Sequence, residues 1–183
     1  MATEVSQLLD YVNAARENRT KAANYILAHP EYFDEIIEIC FSEDTKNSHK
    51  AAWILEFVAH EKPFWFATKI NFMLDKMGVL KSDSAIRPLA KIMQLLIKLH
   101  CQNEATPIHF TPKELEQTIE INFDWLISDV KVATKAYAIR TLYILGKEFD
   151  WVHLELKAII TKDYAQHSAA YQAVAREVLK KMK

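Results

Sequence analysis

Apolar residues recur along this chain every three to four positions, with few interruptions. The stretch SHKAAWILEFVAH, Ser48 to His60, shows the pattern. Ile54, Leu55 and Val58 fall on one side of a helix, while His49, Trp53, Glu56 and His60 stand at i, i+4, i+7 and i+11 on another. Such spacing predicts helices at about 4–16, 19–28, 31–42, 46–61, 64–77, 85–101, 112–127, 130–148, 151–162 and 167–182. The breaks carry matching punctuation. Pro30, Pro63 and Pro112 stand where a first helical turn tolerates a missing N–H. Thr111 with Glu114 three residues on predicts a capping box, and Ser168 is placed to cap the last helix. Gly78 is expected to close the fifth helix in a left-handed conformation, and Pro88 to require that the sixth begin near Ile86. The connection Gln102–Thr111 is polar, contains a proline and is the expected mobile loop.

Short breaks between successive helices make neighbours antiparallel, so the helices group in pairs. The second members resemble one another: TKAANYILAH, SHKAAWILEFVAH, AIRPLAKIMQLLIKL, ATKAYAIRTLYILGK and SAAYQAVAREVLKKM. Sliding their faces into register puts Ala52, Ala90, Ala136 and Gln172 in one column, at a repeat of about 35–46 residues. Segments such as SHKAAWIL and TKAYAIRTL resemble the second helix of HEAT repeats, with its R-x-x-A-A-x-A-L tendency. The likeness covers most of the chain, in a degenerate form of the HEAT/armadillo-like pattern. It implies an all-α fold, an α-α superhelix (HEAT-like right-handed solenoid) of about five antiparallel helix pairs, in a single domain over 1–183. Proteins of this architecture are mostly scaffolds and adaptors. One branch, the HEAT-like DNA alkylation repair glycosylases, acts on DNA.

Composition narrows the reading. The chain has 183 residues, half of them apolar, enough for a full core, and a formal net charge of −1. It has only 2 glycines, which excludes Gly-rich phosphate cradles, P-loops and Rossmann turns. MATEVSQLLDYV lacks the basic start and apolar stretch of a signal peptide, and runs such as IMQLLI are too short to cross a bilayer. Cys40 and Cys101 lie in apolar helical patterns and are expected to be buried free thiols in a reducing cytoplasm.

The stripe in SHKAAWILEFVAH has counterparts. His49, Trp53, Glu56 and His60 align with Arg87, Lys91, Gln94 and Lys98. Tyr137, Arg140 and Lys147 follow in the next second helix, Arg176 and Lys180 in the last, and Lys21 and Asn24 in the first. Within these boundaries the second helices carry roughly fifteen Lys and Arg against about four Asp and Glu. First helices such as PEYFDEIIEI run acidic. Stacked second helices would make one basic face, which concentrates an anionic partner. The expected ligand is an acidic protein or peptide segment; a nucleic acid, as in the alkylation repair branch, is the alternative. Solvated lysines on ordinary amphipathic helices produce the same pattern without function.

Chemistry finds little support. His49 and His60 lie about 16 Å apart along a helix axis, too far to share one metal ion. His100 and Cys101 are adjacent and point about 100° apart, so they make no thiol–imidazole pair. Phe64, Trp65, Phe66 and Phe72 suit core between repeats better than an aromatic pocket. No catalytic residue, metal or cofactor is expected.

Overall fold

Thr3 opens the first helix, its hydroxyl accepting from the Ser6 amide. The structure is a computed structural model that describes residues 3–80, 82–102 and 106–182. Ten α-helices and no strand occur among these residues: α1 Glu4–Tyr11, α2 Arg16–Ala28, α3 Phe33–Cys40, α4 Thr45–Glu61, α5 Ile70–Met77, α6 Asp83–Gln102, α7 Pro112–Ile127, α8 Val132–Leu145, α9 Asp150–Asp163 and α10 Ala169–Lys181. Two of the expected α-helical starts are tighter 3-10 turns led by proline, Pro30–Tyr32 and Pro63–Lys69. The chain divides into two compact units, Met1–Ile92 and Met93–Lys183, with the division inside α6.

In unit 1, α2 and α3 both pack on α4. Ala22 and Ala23 on α2 and Ala51 and Ala52 on α4 are all buried, and their small side chains let the two second helices lie close. Ile26, Ile54, Leu55 and Val58 fill the rest of that contact layer, each burial stabilising by about 1.5–3 kcal/mol. Phe33 sets its ring against Trp65 at 5.3 Å and Phe66 at 5.0 Å, and Phe41 meets Phe72 edge-on. Of the aromatic stretch, Phe66 is core, Trp65 and Phe72 are half-buried at its edge, and Phe64 is exposed. The Tyr25 hydroxyl donates to the Glu4 carboxylate, tying α2 to α1.

In unit 2, α8 packs on α7, α9 and α10. Its core holds Leu115, Ile119, Leu126, Ala138, Ile139, Leu142, Val152, Leu156 and Tyr171. Lys135 on α8 is 7% exposed and donates from Nζ to the Leu126 carbonyl at 2.9 Å. An ammonium there meets the negative end of the α7 dipole and one of its orphan carbonyls.

Local signals behave unevenly. The Thr111–Glu114 capping box forms with both hydrogen bonds, and the Ser168 hydroxyl accepts from the Tyr171 amide. Gly78, by contrast, has φ −65° and ψ −22°, a right-handed conformation, and no described residue has positive φ. α6 begins at Asp83, not near Ile86, with Pro88 in its second turn. The Ser82 carbonyl accepts from the Ala85 and Ile86 amides, so the first turn closes before the proline removes a donor. Within Gln102–Thr111, residues 103–105 lie outside the described residues, and with them the expectation of mobility.

Candidate binding cleft on the second helices

α2, α4 and the first turns of α6 line a cleft of about 580 Å³ in unit 1. Helical spacing explains the lining. Arg16, Arg19, Thr20, Ala23, Asn24 and Leu27 recur at three- and four-residue steps along one face of α2, as Glu56, Phe57, His60 and Glu61 do on α4. Arg87 and Lys91, one turn apart, complete the wall from α6.

Within the cleft the charges are sorted. Glu56 is 8% exposed, and its carboxylate accepts from Lys91 Nζ at 2.7 Å and from an Arg87 guanidinium nitrogen at 3.3 Å. The Arg19 guanidinium lies over the rings of Trp53 at 5.6 Å and Phe57 at 5.8 Å; that of Arg16 lies over Phe57 at 6.0 Å. Neither of these two arginines has an acidic partner among the described residues. Trp53 is half-buried, with His49 edge-on at 4.9 Å, and His60 is exposed.

Unit 2 sorts its charges in a similar way. Arg140 donates to Glu177 at 2.9 Å, and Lys181 donates to the same carboxylate at 2.8 Å. Hydrogen bonds from Lys181 and then Arg140 hold the Glu177 carboxyl below its ordinary range. Lys147 lies over the Tyr143 ring at 5.3 Å, and Lys181 over the same ring at 6.0 Å. Gln94 and Tyr137 are half-buried. Lys98, Arg176 and Lys180 are exposed and have no acidic partner among the described residues.

A pH prediction follows from Glu177. Its folded pKa is lowered, so the stability it adds is present at neutral pH and fades as pH falls through the carboxylate range. Thermal melts between about pH 3 and pH 7 should show wild type losing its advantage over Glu177→Gln as the solution becomes acid. An advantage that persists unchanged at the acid end would show that the ion pairs do not carry it.

The family model described as a HEAT repeat domain matches residues 11–182. The chain belongs to the HEAT repeat family. HEAT repeats are generally protein-interaction scaffolds. No curated protein and no solved structure matches the chain.

The HEAT stacking explains where the sequence pattern misled. Arg87, Lys91 and Arg140 were expected on one basic face; each is held by an acid on a neighbouring second helix, Glu56 or Glu177. Equivalent helices lying side by side place the few acids of the stripe against cations 31 to 37 residues away. Arg16, Arg19 and Phe57 were missed because α1 ends at Tyr11 rather than near residue 16. Arg16 therefore belongs to the first turn of α2. The i, i+3, i+8 spacing of Arg16, Arg19 and Asn24 was the available signal. Cys101 is exposed rather than buried, while Cys40 is buried as expected. Among the described residues no group of three or more His, Cys, Asp or Glu gathers as a metal site, and no helix is long and apolar enough to cross a membrane.

Proposed function

We propose that this HEAT repeat protein is a non-enzymatic interaction module that binds an acidic protein or peptide segment along its second helices, in a reducing cytoplasm. The observation that carries the reading is the unit 1 cleft, where Arg16, Arg19, Arg87 and Lys91 stand against Glu56 and Glu61. Concave surfaces of one net sign focus the field and raise the local concentration of opposite charge. In unit 2, the carboxylate of Glu177 balances only one of the two cations bound to it. The exposed Lys98, Arg176 and Lys180 add unbalanced charge.

Those last three are the residues to reverse, because none has an acidic partner whose loss would disturb folding. Wild type should bind poly-glutamate at about 50 mM salt and release it as salt rises. The triple variant Lys98→Glu, Arg176→Glu, Lys180→Glu should bind about tenfold more weakly with unchanged helicity. Wild type that ignores poly-glutamate overturns the reading. Tighter binding to duplex DNA, with a log–log salt slope near −0.9 per neutralised phosphate, replaces it with the nucleic-acid alternative.

A further inference from the structure

The two walls of the unit 1 cleft differ in readiness. On α6, Arg87 and Lys91 already have a counter-ion in Glu56. On α2, Arg16 and Arg19 have none and are held instead on aromatic faces. The Arg19 Nε is buried and has no hydrogen-bond partner. A buried guanidinium donor left open is destabilising unless an acceptor arrives. Contact with the Trp53 and Phe57 rings holds the half-buried Arg19 before any ligand comes, which lowers the ordering cost of binding.

Charge then selects the ligand. The cleft lining carries Arg16, Arg19, Arg87 and Lys91 against Glu56 and Glu61, an excess of two positive charges. A carboxylate neutralises one of them. A phosphomonoester, with a charge of about −1.5 to −2 and three acceptor oxygens, neutralises both and suits the planar fork of arginine. α2 also begins at Arg16 with no side-chain cap from Ala15, so the positive end of its dipole lies at this wall. Glu17, the acid of that first turn, is absent from the cleft lining; it lines a shallow depression that shares Arg16, Thr20 and Asn24 with the cleft, where Lys21 offsets its charge. At about 580 Å³ the cleft is within the range of small-ligand sites, enough for one modified side chain and its flanks.

We infer that the cleft receives a single phosphomonoester dianion carried on the partner segment, with Arg16 and Arg19 as its direct contacts. The inference rests on the anionic-segment reading above and names the anion. Glu56 is the fixed counter-ion of the facing wall, and its neutralisation raises the excess charge that the ligand meets.

The test is calorimetry on the full chain with three peptides of Gly, Glu and Ser residues that differ at one central position: phosphoserine, glutamate or serine. The phosphoserine peptide should bind about tenfold or more tighter than the glutamate peptide. Arg16→Gln with Arg19→Gln should abolish that preference. Arg16→Lys with Arg19→Lys, which keeps the charge and the fold, should shrink it by removing the fork. Glu56→Gln should tighten the phosphoserine peptide. Equal affinity for the phosphoserine and glutamate peptides overturns the phosphate assignment and leaves the anionic-segment reading standing. Failure of every peptide to bind, with poly-glutamate also ignored, overturns both. Inorganic phosphate that binds as tightly as the phosphopeptide overturns the role of a partner segment. A preference that survives the Gln variants removes Arg16 and Arg19 as its source.

Discussion

Replacing Gly146 by alanine is expected to destabilise the protein by about 1–3 kcal/mol, against the usual direction of such a change. Gly146 follows α8 with φ −65° and ψ −8°, a conformation open to any residue. By intrinsic preference alone alanine would be better there by up to about 1 kcal/mol. The obstacle is His153. A Cβ on residue 146 would lie 2.0 Å from its Cδ2 and 2.6 Å from its Cγ and Nε2. The ring cannot swing aside freely, because it stacks on Tyr143 at 5.4 Å and its Nε2 is hydrogen-bonded to the Tyr143 carbonyl at 2.9 Å. Either contact must break or the α8–α9 turn must shift. Urea denaturation of Gly146→Ala, His153→Ala and the double variant checks the account. The double variant should lie no lower than His153→Ala alone. A Gly146→Ala protein as stable as wild type would mean that the turn adjusts without cost.

Phe66→Ala should cost about 3–5 kcal/mol, a large part of the 5–15 kcal/mol that holds a typical domain together. Phe66 has no exposed surface and presents its ring to Phe33 at 5.0 Å, while Phe33 also holds Trp65. Truncation removes the ring that seats the 3-10 turn Pro63–Lys69 on Phe33 and leaves a void beside that ring. Phe64, two residues earlier, is 52% exposed, so Phe64→Ala should stay within about 0.5 kcal/mol of wild type. Comparable losses for the two variants in the same denaturation series would contradict this placement.

That pair marks how far the sequence could be read. A run such as PFWF announces burial but does not say which ring turns inward, because the 3-10 geometry differs from the expected α-helical spacing. Helix number, the pairing of α3 with α4 and of α7 with α8, and the Thr111–Glu114 cap were legible because each depends on residues close in sequence. The second-helix stripe was legible only in part: of its residues, Glu56, His60, Arg87 and Lys91 line one cleft. Its charge state was not. The Glu56 pairs and the Arg140–Glu177 pair join residues 31 or more positions apart, and only stacked helices bring them within reach. Gly78 and Pro88 show the same limit at short range. A glycine can end a helix without left-handed geometry, and a proline is tolerated once the first turn is closed.

Lys135 gives the fold an internal reporter. Its amine is pinned against the last turn of α7, whereas the other described lysines are half-buried or exposed. Acylating reagents should modify the other amines first and reach this one only when the α7–α8 hairpin breathes apart. The lag in its labelling would then time the opening of a single repeat.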